Sequence, residues 1–140
     1  MNLAQKSLQG ARIIHGAMLF AALAYVVVAL YLESPAKGAV PSTVVGGLGI
    51  GAFSLLIVAV FFRTKFVQPG AEKLRANGDD ETGAKLWRTG TIVSLVFAES
   101  IVMFGLVVKM IGASWNASGI FYVAGILALV AWWPKLDLGV

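Results

Sequence analysis

The chain has 140 residues, of which 59% are hydrophobic and only 13% are charged, and its net charge is +4. A soluble domain has about 25% charged residues, so this composition is typical of an integral membrane protein. The absence of cysteine excludes disulfides, thiolate metal sites and thiol catalysis. Nothing in the composition indicates a nucleic-acid partner.

Four apolar stretches are candidates for membrane spans. They cover about 13–32, 40–62, 87–108 and 118–133. A spanning helix needs about 20 residues, within a range of about 17 to 25, so the fourth stretch is marginal in length. None of them shows the alternating period of a barrel strand. The sequence therefore predicts a single all-α domain, residues 1–140, with four transmembrane helices.

The basic residues predict the orientation of these spans. Six of the eleven lie between the second and third spans or at their edges: Arg63, Lys65, Lys73, Arg75, Lys85 and Arg88. The others lie before the first span, after the last span, or in the two remaining connections: Lys6 and Arg12, then Lys135, and finally Lys37 and Lys109. The positive-inside rule then places both termini and a central loop of about 63–86 in the cytoplasm. We expect a multi-pass protein in the lipid bilayer of a bacterial inner membrane.

Turn residues divide the connections between the spans. Within the central loop, Pro69-Gly70 and Asn77-Gly78 are turn signals, and a short helix is predicted between them over 71–76. The acidic residues 79–81 are predicted to begin the third helix, because negative charge is favourable at a helix N-terminus. The connection over about 33–38 is predicted to form a tight hairpin between the first two spans.

The second span contains a run of glycines at Gly46, Gly47, Gly49 and Gly51. Residues 47–52 match the dinucleotide pattern G-x-G-x-x-A, but that pattern requires a strand and a βαβ unit, and here it lies inside a predicted membrane helix. Gly47 and Gly51 are four residues apart, a spacing that lets another helix approach closely. We interpret the run as a helix-packing face directed at neighbouring helices or at a second copy of the chain.

A single acid, Glu99, lies near the middle of the otherwise uncharged run 89–108. An ionisable side chain at the bilayer centre costs roughly 3 kcal/mol unless a partner or an ion compensates, so Glu99 is the leading functional candidate. No Lys or Arg lies at that depth, and the expected hydroxyl partners are Ser100 and, on the second span, Ser54. Burial favours the neutral carboxyl, so Glu99 is expected to load and release a proton. The alternative is a neutral glutamate that only fixes helix packing.

The one histidine, His15, lies a turn into the first span. Two interpretations stay open: a polar residue at the membrane surface, or an axial ligand to haem or chlorophyll, since neutral imidazole is a common donor. One histidine and one buried acid do not supply a nucleophile, a base and a metal set. A stand-alone enzyme and a metal site are therefore not expected.

The second and third spans also carry motifs of a known family. These motifs are the glycine run 46–51, Gln68-Pro69, Ala84-Lys85-Leu86, and the stretch Ala98-Glu99-Ser100-Ile101-Val102-Met103-Phe104-Gly105-Leu106-Val107-Val108. Together, over about 40–110, they resemble the proteolipid c subunit of rotary ATP synthases. The resemblance implies that Glu99 is the ion-carrying acid and that Gly47, Gly49 and Gly51 are packing positions in a ring. Sodium-binding members carry a glutamine on the glycine-rich helix that has no counterpart here, so a proton is the expected ion.

The expected function is therefore a small proteolipid-like subunit of an energy-transducing membrane assembly, with Glu99 as a protonatable or ion-binding carboxyl. Two alternatives remain open. One is a non-catalytic accessory subunit of a respiratory or photosynthetic complex, with lipid contacts and with pigment or haem contacts through His15. The other is a small homo-oligomeric channel or transporter. The expected partners are other membrane subunits or copies of the chain.

Overall fold

A computed structural model describes residues 2–32 and 40–136. Within these residues the chain is all-helical and forms no strand, which confirms the predicted class. The helices are α1 (Leu3–Tyr31), α2 (Ser42–Phe62), α3 (Gln68–Ala76), α4 (Glu81–Met110) and α5 (Trp115–Ala131), and a π-helical segment (Arg63–Val67) joins α2 to α3. The tight hairpin predicted over about 33–38 lies outside the described residues.

Three of the described helical stretches are long and apolar enough to cross a membrane: Leu3–Tyr31, Ser42–Ala76 and Glu81–Met110. At 1.5 Å per residue, α4 is about 45 Å long, which exceeds the hydrocarbon thickness of about 30 Å. The fourth apolar helix, α5, has 17 residues and lies at the lower limit for a span, about 17 residues.

Helix α4 is the centre of the bundle, and each of the other helices packs against it. Helix α1 runs parallel to α4, since the Ala4 N–H donates to Gly78 O (2.9 Å) just before α4 begins. The π segment and α5 run antiparallel to α4: Gly90 contacts the π segment, and Gly105 contacts Tyr122 of α5. The turn between α4 and α5 uses Gly112, whose φ of 93° is a conformation that glycine adopts without steric cost.

This arrangement brings the described chain ends and the α3–α4 turn to one end of the bundle. The Leu3 N–H donates to Asp79 Oδ1 (2.9 Å), and Leu136 packs in one cluster with Ala4 and Trp87. Most of the basic side chains belong to the segments that meet there: Lys6, Arg63, Lys65, Lys73, Arg75, Lys85, Arg88 and Lys135. We call this the basic end, and we call the opposite end, where α4 ends and α5 begins, the far end.

The turn predicted at Pro69-Gly70 is wrong, because α2 continues through the π segment into α3. The Gln68 N–H donates to Arg63 O, five residues back. In an α-helix, proline lacks a donor and its ring meets the carbonyl four residues earlier. The i→i+5 bonding of the π segment changes the position of that carbonyl and lets the helix pass through Pro69.

The second turn of the central connection and the acidic start of α4 are confirmed. The Asp80 N–H donates to Asn77 O (3.0 Å), which closes the turn around Gly78. Asp80 is the N-cap of α4, and its side chain accepts a hydrogen bond from the Gly83 N–H. Glu81 follows in the first turn of the helix, where its charge is favourable.

Candidate functional site

Glu99 lies in the middle of the apolar part of α4. It is eleven positions before Met110, where α4 ends, a rise of about 16 Å, or close to half the hydrocarbon thickness of about 30 Å. Among the residues one turn away, Val96 and Met103 are 42% and 46% exposed, whereas Leu95 and Val102 are buried. Glu99 therefore lies at the margin of the bundle, partly buried and next to an open face.

The hydrogen-bond partner of Glu99 comes from α1. The Tyr25 hydroxyl donates to Glu99 Oε1 at 3.3 Å, a longer contact than the roughly 2.7 Å usual between two oxygens. Within the described residues, Tyr25 is the one side chain that bonds Glu99. Sequence analysis missed Tyr25, because no local pattern connects residue 25 with residue 99 and the contact depends on α1 lying beside α4.

The two serines expected beside Glu99 bond to their own helices instead. The Ser100 hydroxyl donates to Val96 O (2.8 Å), and the Ser54 hydroxyl donates to Ile50 O (2.9 Å). Adjacent residues of a helix point about 100° apart, which separates Ser100 from the Glu99 carboxyl. The structure therefore does not bring Glu99, Ser100 and Ser54 together as one ion site.

The glycine run of α2 is open. A Cβ added at Gly46, Gly47 or Gly49 would meet nothing within 4 Å, and one added at Gly51 would meet only the ring of Phe104 at 3.6 Å. Within the described chain, the run is not the surface on which α2 packs.

Other glycines provide the close helix contacts. An added Cβ would lie within 3.0 Å of neighbouring atoms at each of five helical positions: Gly70, Gly83, Gly90, Gly105 and Gly125. Three of these are on α4 at intervals of seven and fifteen residues, which places them on one face of a helix. That spacing is the signal that could have identified them in the sequence.

His15 is buried within the bundle. Its Nε2 lies 2.8 Å from Leu129 O near the C-terminus of α5, and its ring packs edge-on against Trp133 at 4.6 Å. The Trp133 N–H bonds Val130 O instead of Leu129 O. His15 therefore supplies a donor to a terminal carbonyl that the helix leaves free, and it joins α1 to α5.

This contact does not fit an axial ligand for haem or chlorophyll. A carbonyl oxygen only accepts, so the Nε2 atom of His15 carries the hydrogen. The lone pair then belongs to Nδ1, which is enclosed by protein and has no hydrogen-bond partner among the described residues. Coordination would require His15 to leave Leu129 and the surrounding side chains to move apart.

No protein-family model matches the sequence, and no curated protein or solved structure is significantly similar to it. The resemblance to the c subunit therefore depends on the sequence motifs alone.

Proposed function

We propose that the chain is a small subunit of an energy-transducing membrane assembly and that Glu99 accepts and releases a proton within the membrane. The observation that supports this is the carboxyl at mid-depth in a long apolar helix, held by the Tyr25 hydroxyl beside an open face. In this proposal α5 is a fourth membrane span. The basic end is cytoplasmic by the positive-inside rule, in a bacterial inner membrane.

The Tyr25–Glu99 contact is suited to both protonation states of the carboxyl. A tyrosine hydroxyl donates to a carboxylate, and it also accepts a hydrogen bond from a protonated carboxyl. At 3.3 Å the bond is weak, so Tyr25 orients the Glu99 side chain without strongly favouring one state. Val96 and Met103 leave one side of Glu99 open.

The open glycines of α2 support a role within an assembly. Helices in a membrane associate through close packing more than through hydrophobicity, and small residues let their backbones approach. The run 46–51 offers such a surface, and the described chain leaves Gly46, Gly47 and Gly49 uncovered. In the proposed assembly a helix of another subunit, or of a second copy, packs there.

Carbodiimide labelling tests the proton site, because the reagent reacts with a protonated carboxyl in an apolar environment. We expect Glu99 to be labelled in membranes and the labelling to fall as the pH rises. Glu99→Gln should abolish it. Glu72→Gln is the matched control, since Glu72 is an exposed acid on α3 at the basic end. Labelling that is unchanged in Glu99→Gln, or absent from Glu99 at every pH, would contradict the proposal.

Tyr25→Phe tests the role of the hydroxyl. Tyr25 is the described side chain that bonds Glu99, so removing its hydroxyl should change the pH profile of Glu99 labelling. Ser100→Ala is the control, because the Ser100 hydroxyl bonds Val96 O and its loss should leave the pH profile unchanged. An identical profile in Tyr25→Phe and Ser100→Ala would show that Tyr25 does not act on Glu99.

The mass of the particle extracted gently from its membrane distinguishes the kinds of assembly. A mass that contains other chains supports a subunit of a larger complex. A multiple of 14.8 kDa favours a homo-oligomer, which supports either a proteolipid-like assembly or the channel or transporter alternative. A single-chain mass under gentle extraction would count against an assembly of either kind.

A further inference from the structure

The basic end contains a cavity that the proton site does not use. Its volume is about 150 Å³, room for roughly five water molecules at about 30 Å³ each and well below the roughly 300–1,000 Å³ of pockets for drug-sized ligands. It lies between the π segment, α4 and the residues at the end of α5: Arg63, Val67, Trp87, Thr91, Ala131, Trp133, Pro134 and Lys135. Its occupant is therefore an ion or one small chemical group.

The polar side chains around the cavity are donors or cations. Arg63 and Lys135 carry positive charge, the Trp87 indole is a donor only, and the Thr91 hydroxyl can donate. Among the described residues, none of those lining the cavity is Asp or Glu. Arg63 is half-buried against the ring of Trp132 at 5.5 Å. This lining is complementary to an anion with several acceptor oxygens.

Two of these donors are buried without a partner. Trp87 and Thr91 are each 1% exposed, and neither Trp87 Nε1 nor Thr91 Oγ1 has a hydrogen-bond partner among the described residues. Unpartnered buried polar atoms are rare in folded proteins and often mark the place of a water, an ion or a ligand. Because both residues line the same cavity, one occupant with acceptor atoms accounts for both.

The cavity lies at the depth of lipid headgroups. Helix α2 has 21 residues, a rise of about 32 Å, so Arg63 follows one hydrocarbon thickness of about 30 Å. Trp132 and Trp133 lie beside it, and tryptophan is enriched at this level of a membrane. Trp133 and Lys135 are exposed, so the cavity opens toward the membrane surface.

We propose that this cavity binds a phosphate group, with Arg63 as the main cation and with Trp87 and Thr91 as buried donors. The planar fork of an arginine matches the oxygens of a phosphate, and basic pockets between membrane helices bind lipid headgroups. A phospholipid headgroup and free inorganic phosphate share this chemistry. The inference is independent of Glu99.

Lipid retention tests the first source. Full-length protein is purified from phospholipid membranes, and the bound phospholipid is counted by native mass spectrometry. Arg63→Gln and Thr91→Val should each reduce retention about tenfold, because a lost hydrogen bond to a charged group costs roughly 1.5 kcal/mol or more. Lys65→Gln should leave retention unchanged, since Lys65 is an exposed cation in the same segment that does not line the cavity.

Thr91→Val also separates binding from folding. Valine keeps the shape of threonine and removes a buried hydroxyl that has no protein partner, so the thermal unfolding temperature should be unchanged or higher. Loss of lipid from a variant that is at least as stable as the parent cannot come from unfolding.

Inorganic phosphate tests the second source. Delipidated protein is titrated with phosphate, and tryptophan fluorescence is recorded because Trp87 and Trp133 line the cavity. A saturable change that Arg63→Gln and Thr91→Val abolish supports free phosphate, and retained lipid without such a change supports a headgroup. If neither lipid retention nor fluorescence distinguishes these two variants from Lys65→Gln, the cavity holds water alone and the proposal is wrong.

Discussion

Two groups of glycines divide this molecule into a packed region around α4 and an open region on α2. Around α4, an added Cβ at Gly125 would overlap the side chain of Val102 and lie 2.9 Å from Ala98 O. On α2, one added at Gly47 would meet nothing within 4 Å. Since membrane helices gain little from hydrophobic attraction to one another, the first group determines how the chain folds. The second group leaves part of the surface of α2 uncovered in the described chain.

Polar side chains follow the same division. The buried hydroxyl of Ser94 on α4 donates to Gly90 O (2.7 Å) and also contacts Ala59 O of α2 at 3.3 Å, and His15 joins α1 to α5. On the open face, the Ser54 hydroxyl donates to Ile50 O of its own helix. Ser94 and His15 thus connect helices, whereas Ser54 bonds only within its own helix.

The largest expected difference between the regions comes from Gly125→Val compared with Gly47→Val. At Gly125 the new side chain meets the backbone of α4, and we expect the free energy of unfolding to fall by about 3 kcal/mol. Gly47→Val should leave it unchanged. Denaturant unfolding of the purified protein in micelles measures both. An equal loss of unfolding free energy in the two variants would contradict the division, because Gly47 would then contribute to packing within the chain.

The same Gly47→Val variant tests whether the open face of α2 packs against another subunit. If α2 packs against another subunit, a bulkier residue at position 47 separates the two helices, and the extracted particle should lose mass while the chain stays folded. An unchanged particle mass would mean that the glycine run does not face a subunit.

A smaller effect is expected for His15→Phe. The ring volume is kept, but Leu129 O loses its donor, at a cost of about 1–2 kcal/mol. Thr64→Val is the control, because the Thr64 hydroxyl is exposed and bonds Phe61 O of the adjoining helix turn. If the purified protein has a haem or chlorophyll spectrum that His15→Phe removes, the capping role of His15 is wrong.

The smallest effect is expected for Ser94→Ala, at about 0.6 kcal/mol, the average for hydrogen bonds between membrane helices. Ser54→Ala should have no measurable effect on unfolding, since its hydroxyl bonds only Ile50 O. Denaturant unfolding of the two single variants in the same micelles measures the difference directly. An equal effect at both serines would show that Ser94 does not contribute to the contact between α4 and α2.

Local signals in the sequence were sufficient for the helical class and for the start of α4. Asn77-Gly78 and Asp80 act through neighbours within a few residues, so their roles can be predicted from the sequence alone. The turn predicted at Pro69 was wrong, because the i→i+5 hydrogen bonding just before Pro69 lets the helix continue. The clearest glycine pattern, at 46–51, turned out not to be the one that packs α4.

The partner of Glu99 and the phosphate cavity could not be predicted in this way. Tyr25 bonds Glu99 although the two residues are 74 positions apart in the sequence. Arg63 and Lys135 line one cavity, which three separate segments form. Such contacts depend on which helices are neighbours. The depth of Glu99 in its span made it the leading functional candidate in the sequence. The sequence contained no signal for the helix that lies beside it.

The π segment Arg63–Val67 has a consequence for the length of the chain. A turn with i→i+5 bonding holds one residue more than an α-helical turn along the same path. If those residues formed an ordinary α-helix, everything after them would rotate by about 100°, and Gly70 would turn away from Trp87. A chain shorter by one residue in this segment would keep Gly70 in place as a plain α-helix, but the ring of Pro69 would then meet the carbonyl four residues earlier. The extra residue therefore serves two positions at once: it accommodates Pro69, and it keeps Gly70 against α4, where an added Cβ would lie 2.8 Å from Trp87 Cα.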